Sequence, residues 1–346
     1  MHLYHLRHVP WLDSQLLYHA MPRLGIEGLI ILAPAEPYVC IGYHQDLEQE
    51  VDIAYCREHG IPVFRREVGG GAVYLDGNQL FYQLVLHKDN PLAHGDKAAF
   101  YARMLQPVAE AYQYLGVPAR YRPINDIVTA DGRKISGNGA ATIEDHLILV
   151  GNLIADFDYE TMVRVLRVPD EKFRDKVFKT MRDNLTTLRR EVGQMPPWDE
   201  MAGALIRRFE EALGPLTTGV LPQSVYQEAE SLKPQFLCEA WLYKKGRRTS
   251  ARDVKVADGV NVVQRVYKAP GGLLRATLET KGNHLASVSV SGDFFCYPEN
   301  GIALLESALE GVAIAQVEQT LQDTYAHDGL ETPGVTAEDW LKVLAP

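Results

Sequence analysis

Apolar residues fall in short unbroken runs over much of the first ninety positions and at helical spacing between and after them. Gly28-Leu29-Ile30-Ile31-Leu32, Pro37-Tyr38-Val39-Cys40-Ile41-Gly42, Ile61-Pro62-Val63-Phe64 and Leu80-Phe81-Tyr82-Gln83-Leu84-Val85-Leu86 read as strands, each bounded by turn-forming or polar residues. A further strand opens the chain at Met1–His8 and ends at Pro10. Leu12, Leu16, Leu17 and Ala20 put one apolar face on a helix over Trp11–Leu24. Val51–His59 reads as a short helix capped by Gly60. Phe100, Met104, Leu105, Val108, Ala109 and Tyr112 form the apolar face of a helix over Lys97–Leu115, stopped by Gly116. Leu147–Ala155 is a strand and Tyr159–Leu166 a helix. The strands suggest a mixed, mostly antiparallel sheet.

From Lys172 to Leu213 the pattern is helical and charged, broken at Pro196-Pro197, ended by Gly214-Pro215 and followed by a loop over Thr217–Pro222. Ala240–Tyr243, Asn261–Tyr267, Leu273–Leu278 and Leu285–Val290 then read as strands, with helices at Ala303–Leu309 and Gln316–Tyr325. The expected fold class is α+β, with a boundary near 225–237 that separates residues 1–232 from a small α+β domain over 233–346.

The 346 residues have 46% hydrophobic and 23% charged content, the balance of a folded globular chain, and this sets disordered and membrane classes aside. No apolar run of about 18 residues and no secretory leader is apparent, so a cytoplasmic protein is expected. A formal net charge of -10 argues against nucleic-acid binding and suits a small-molecule enzyme. Cys40, Cys56, Cys238 and Cys296 form no C-x-x-C pair, so neither a zinc site nor a disulfide framework is indicated. His2, His5 and His8 alternate along a strand, and a shared metal would need an irregular backbone there.

Two stretches carry candidate chemistry. Arg65-Arg66-Glu67-Val68-Gly69-Gly70-Gly71-Ala72-Val73-Tyr74 joins two strands and is followed by Asp76-Gly77-Asn78. Three glycines offer backbone N–H groups with no side chain in the way, and the arginines add planar donor forks, a combination suited to carboxylate or phosphate. A bulged hairpin with a surface arginine pair has the same pattern. The second stretch runs from Asn125-Asp126-Ile127 through the turn Ala130-Asp131-Gly132 to Lys134-Ile135-Ser136-Gly137-Asn138-Gly139. Its lysine can neutralise a reacting carboxylate, and Asp126 can orient that lysine or hold a magnesium ion. On this segment alone a solvated hairpin with an exposed lysine is the plainer reading. Neither stretch is a Walker A loop. Lys244-Lys245-Gly246-Arg247-Arg248 is a basic run in an acidic chain, read as a solvated loop or as a contact for phosphates or an acidic carrier.

Together the two stretches resemble the lipoate–protein ligase family of the biotin and lipoate ligase group. The first matches a motif of Arg-Arg, two variable residues, Gly-Gly-Gly-Ala-Val-Tyr and a nearby Asp with Gly-Asn. The second matches Asn-Asp-Ile followed by Lys-Ile-Ser-Gly. Val39–Gln45 is similar to the family's strand ending in Gly-x-x-Gln, and Ser291-Gly292-Asp293-Phe294-Phe295 to its C-terminal accessory domain. The resemblance implies a two-step reaction: MgATP activates lipoate or octanoate to an acyl-adenylate, and the acyl group passes to a lysine of a lipoyl carrier, an H-protein or the E2 component of a dehydrogenase complex. It implies that Lys134 is catalytic. It places Arg65, Arg66, Gly69, Gly70, Gly71, Ala72, Tyr74, Asn78, Asn125, Asp126, Ser136 and Gly137 at the acid and ATP, with Asp126 toward Mg2+ or the incoming lysine.

Departures from the family pattern are Val68 for a serine, a Tyr74–Asn78 segment one residue short and lacking its histidine, and Val150-Gly151 for His-Gly, with His146 four residues earlier. These bear on substrate preference. The octanoyltransferases and lipoyl-amidotransferases of the same fold work through a cysteine near the end of the catalytic sheet, and no cysteine lies between Arg57 and Leu237. An acyl-transferase without ATP and a non-catalytic lipoate-binding protein are the alternatives.

Overall fold

The computed structural model describes residues 1–168, 173–245, 260–327 and 329–345. In chain order its elements begin β1 (His2–Val9), α1 (Asp13–Arg23), β2 (Gly28–Pro34), β3 (Tyr38–Ile41), α2 (Leu47–Glu50), α3 (Ile53–Glu58), β4 (Val63–Arg65), β5 (Val73–Leu75), β6 (Gln79–His87) and α4 (Lys97–Tyr114). There follow β7 (Arg120–Arg122), β8 (Asp126–Val128), β9 (Lys134–Ser136), β10 (Asn138–Ile143), β11 (His146–Ile154), α5 (Tyr159–Val165), α6 (Arg174–Asn184), α7 (Leu188–Val192) and α8 (Trp198–Leu213). The remainder is β12 (Thr217–Thr218), α9 (Gln223–Phe236), α10 (Glu239–Leu242), β13 (Val260–Ala269), β14 (Gly272–Lys281), β15 (His284–Gly292), α11 (Gly301–Leu309), α12 (Val317–His327) and α13 (Ala337–Leu344).

The chain divides into two compact units. The first comprises Met1–Cys40, Val51–Phe64 and Val73–Leu237, and the second Ile41–Glu50, Arg65–Ala72 and Cys238–Pro346. The fold class is α+β with a mostly antiparallel sheet. In the first unit the main sheet has the order β10-β11-β6-β2-β1-β12, and only the β2-β1 and β1-β12 pairs are parallel. β2 is buried throughout and β6 over Gln79–Leu86, as expected of central strands covered on both faces, and this is why they read as continuous apolar runs. α4 packs its Phe100, Met104 and Val108 face inward, held at its start by Asp96 accepting from the Ala99 amide at 2.6 Å. β7, β8 and β9 make a small separate antiparallel sheet that carries Asp126 and Lys134.

In the second unit β13, β14 and β15 form an antiparallel sheet whose alternate residues Leu274, Ala276 and Leu278 are buried in a core with Val288, Val290, Leu305, Leu321 and Trp340. A Thr336–Asp339 capping box starts α13, which supplies that tryptophan.

Two sequence expectations are corrected. Ala240–Tyr243 is not a strand: Glu239–Leu242 is the short helix α10, and the Trp241 indole donates to the Arg65 carbonyl at 2.8 Å. The loop over 217–222 begins with β12, two residues that extend β1 in parallel. Lys172, where the charged helical stretch was expected to open, lies outside the described residues, as do Gly246, Arg247 and Arg248 of the basic run.

Candidate active site

Lys134 opens β9 with its side chain 37% exposed, and its ammonium lies 2.7 Å from Asp126 Oδ1 on the neighbouring strand β8. The other Asp126 oxygen accepts from Arg122 at 2.7 Å. Burial pushes the Asp126 carboxyl up, but the Lys134 ammonium and the Arg122 guanidinium outweigh it and hold the group below its ordinary value. The resulting cation, anion, cation row keeps an ammonium at the surface of a strand whose following residues are fixed.

That fixing is done by buried side chains. The Tyr112 hydroxyl donates to the Ile135 carbonyl and accepts from the Ile154 amide at 2.9 Å. Ser136 is fully buried, its hydroxyl donating to the Asn152 carbonyl at 2.6 Å and lying 3.0 Å from Asn138 Oδ1. The Gly137 amide donates to Asn152 Oδ1 at 2.8 Å, and Asn152 in turn donates to Gln79 at 2.7 Å. Asn125 and Asn138 exchange amide-to-carbonyl hydrogen bonds at 2.5 and 2.8 Å. Ser136, Gly137 and Asn125, expected at the substrate, therefore spend these polar groups on the frame around Lys134. Asn78 is exposed, its amide bonded to Asp76 Oδ1 at 2.9 Å, while its carbonyl accepts from Ala155 and Asp156. Tyr74 is buried, and burial with the Asp76 and Asp158 charges pushes its hydroxyl up to about 12.

The glycine stretch from Arg65 to Ala72 belongs to the second unit, and Tyr74 onward to the first. Arg65, expected to face substrate, is fully buried. Its guanidinium donates to the carbonyls of Gly42, Tyr43 and Gln45 at 3.2, 2.8 and 2.7 Å and to that of Leu242 at 3.1 and 2.8 Å, which makes it a clamp on main chain. Arg66 is partly exposed and donates to the carbonyls of Gly69 and Gly71 at 2.7 and 2.9 Å, closing the glycine loop on itself. Gly70 takes φ +90°, a conformation that needs glycine, and its amide donates to the Phe294 carbonyl at 3.1 Å. The loop also requires Gly42 to be bare, because a Cβ there would lie 1.9 Å from the Gly70 oxygen. Lys244 donates to the Tyr43 hydroxyl and sits 3.8 Å from that ring's centroid, and Lys245 pairs with Glu306 at 2.7 Å, so these two lysines of the basic run are engaged within the unit.

Arg122, Tyr82 and Asn152 were given no site role by sequence, Tyr112 was read only as part of a helix face, and Asn138 only as part of the Lys134 stretch. The available signal was polar residues inside otherwise apolar strands, as with Gln79 and Gln83 in β6. His146 pairs with Ile143 and His87 at the opposite end of β11 from Gly151–Ile154, so it cannot stand in for a histidine at position 150. Cys40, Cys56 and Cys296 are buried, and burial pushes the Cys56 and Cys296 thiols up to about 11 and about 12. Each Asp126 oxygen is paired with a cation, and among the described residues no three His, Cys, Asp or Glu side chains converge on a metal position. Among the described residues no helix is long and apolar enough to cross a membrane.

The Asp126 pair has a pH signature. A carboxyl held below its ordinary value adds stability in full above about pH 4 and loses it as the pH falls through the depressed value. Urea midpoints measured between about pH 2 and 6 should fall more steeply on acidification for wild type than for Asp126→Asn. Parallel curves would contradict the pairing.

A family model described as the lipoyl protein ligase A/B catalytic domain matches residues 11–210. Lipoate-protein ligase A subunit 1 of Thermoplasma acidophilum is 34% identical over 184 residues, 51% of this chain and 68% of its own length. Octanoyltransferase LipM of Kyrpidia tusciae is 27% identical over 231 residues, 60% of this chain and 84% of its own. Among solved structures, one from the T. acidophilum lipoylation system, a bipartite lipoate protein ligase and its E2 lipoyl domain, is similar with a TM-score of 0.62 and 27% identity, over 74% of this chain and 98% of that one. A lipoate-protein ligase A bound with ATP is similar with a TM-score of 0.59 and 26% identity, over 69% and 97%.

Proposed function

Because the chain belongs to the lipoyl protein ligase A/B catalytic domain family, we propose that it is an ATP-dependent lipoate–protein ligase, with residues 1–232 forming the acyl-adenylate and residues 233–346 an accessory domain. A carboxylate oxygen of lipoate or octanoate attacks the α-phosphorus of ATP and pyrophosphate leaves. A carrier lysine then attacks the acyl carbonyl and AMP leaves. Negative charge grows on pyrophosphate in the first step and on a tetrahedral oxygen in the second, so both steps gain from a fixed cation. The observation that carries this reading is the Lys134 ammonium, half-exposed on a strand immobilised from both sides and held in reserve by Asp126 at 2.7 Å. Arriving substrate oxygens replace Asp126 as its partner. Asp126 is then free to accept a proton from the carrier lysine.

Arg66, with the amides of Gly69 and Gly71, binds phosphate and acyl carbonyl, and Asn78 binds the phosphates. Magnesium enters with ATP, whose phosphates supply most of its ligands. The carrier is a lipoyl domain of the E2 or H-protein kind. An E2 lipoyl domain is supported by the T. acidophilum relative. The reading includes a cytoplasmic location, where ATP and such carriers would both be at hand.

The LipM relatives favour a second reading, acyl transfer from a carrier thioester without ATP. It lacks a cysteine near the end of the catalytic sheet: none occurs between Arg57 and Leu237, the Cys56 and Cys296 thiols are raised by burial, and the exposed Cys238 lies at the start of α10 in the second unit. Lipoate-dependent pyrophosphate release from MgATP, followed by acylation of a lipoyl domain, separates the readings. Acylation from an octanoyl thioester with no ATP would establish the transferase. Tight lipoate binding without turnover would establish a binding protein.

A further inference from the structure

Lys134 and Asp126 lie on strands whose ladder is short and irregular. β8 and β9 pair only at Ile127 with Ser136 and Val128 with Lys134, with a register shift between the two. Such a ladder leaves the ammonium-to-carboxylate distance weakly specified. The missing constraint comes from one side chain just beyond β9. Asn138 accepts at Oδ1 from the Tyr82 hydroxyl, with the Ser136 oxygen 3.0 Å away, and donates from Nδ2 to the Asn125 carbonyl at 2.8 Å. Its own carbonyl accepts from Asn125 Nδ2 at 2.5 Å. Asn125 directly precedes Asp126, and Tyr82 stands on β6 of the main sheet. One amide thus ties the strand of the carboxylate, the strand of the ammonium and the central sheet together.

The surrounding sequence is shaped to admit this junction. Gly151 is the β-sheet partner of Asn138, and a Cβ there would lie 2.3 Å from Asn138 Oδ1 and 2.2 Å from the Tyr82 oxygen. Only a bare Cα lets the Tyr82–Asn138 bond pass. The junction also needs a side chain with an acceptor and a donor at its tip: aspartate offers no donor to the Asn125 carbonyl, and alanine offers neither.

We propose that Asn138 is a positioning residue that sets the Lys134–Asp126 contact and so the direction in which the ammonium is presented. The inference deepens the ligase reading and rests on it for its role in catalysis, while the geometric claim can be tested without turnover. The full-length chain is pulsed with an amine-acetylating reagent, and modification of Lys134 is followed by mass spectrometry against Lys88, which pairs with Asp145 at 2.8 Å in the same unit. Asp126→Asn gives the level for a released Lys134.

Asn138→Ala is expected to raise Lys134 modification about two- to fivefold, toward the Asp126→Asn level, with Lys88 unchanged. Tyr82→Phe, which removes one hydroxyl, moves it in the same direction and serves if the alanine variant does not fold. Unchanged Lys134 modification, or an equal rise at Lys88, overturns the proposal. In lipoate-dependent pyrophosphate release the same variants should lose kcat while KM for lipoate holds. If wild type releases no pyrophosphate but the modification pattern is as expected, the ligase reading falls and the positioning assignment stands.

Discussion

Lys134→Ala is expected to lower lipoate-dependent pyrophosphate release by about 10²–10³-fold, the scale of losing one fixed donor aimed at developing charge. The loss should recur when pre-formed lipoyl-adenylate is supplied and only transfer to the carrier is followed, because one ammonium serves both steps. Stability should barely change. The pair is partly exposed, with Lys134 37% and Asp126 22% accessible, and such pairs contribute at most about 1 kcal/mol. Asp126 also keeps its 2.7 Å contact with Arg122. Lys134→Arg retains the charge but spreads it over a planar fork, so partial activity is expected. Activity of the alanine variant within about threefold of wild type, well short of the loss of a charge-stabilising group, would remove Lys134 from the reacting centre.

Much of the fold was legible because its strongest elements are periodic. β2 and β6 read as unbroken apolar runs because both faces are covered, and α4 showed its inward face through Phe100, Met104 and Val108. Short elements were less legible: the run Ala240–Tyr243 has no period, and its helix is held by Trp241 reaching the Arg65 carbonyl, a contact 176 residues away in sequence. The same non-locality hides the frame of the site. Lys134 and Asp126 were marked by their motif, but Tyr112 is 23 residues from the Ile135 carbonyl it holds and Tyr82 is 56 from Asn138. No local pattern announces such pairs. The assignment of the glycine stretch to the second compact unit is likewise a property of packing, invisible in a motif that continues without a break into Tyr74.

Arg65 is where charge pattern and structure diverge most, and its replacement should have the largest effect on stability. Arg65→Met is expected to destabilise the chain by about 3–5 kcal/mol, the upper end for single substitutions and reached when a buried hydrogen-bond network is broken. Methionine can fill part of the volume, but it leaves the carbonyls of Gly42, Tyr43, Gln45 and Leu242 without this donor. Each unsatisfied buried group costs about 1–3 kcal/mol, less where water can enter. Lysine is at best a partial rescue: one ammonium in the place of Nη1 could reach the carbonyls of Gly42, Tyr43 and Gln45, but the Leu242 carbonyl, served by Nε and Nη2, would lose its donors. The damage should concentrate in the second unit, where the guanidinium joins Ile41–Glu50 to α10. Chemical denaturation gives the total, and hydrogen exchange should report early loss of protection in α10 and in the β13–β15 sheet relative to β6. A Met variant within about 1 kcal/mol of wild type would mean that the clamp is dispensable.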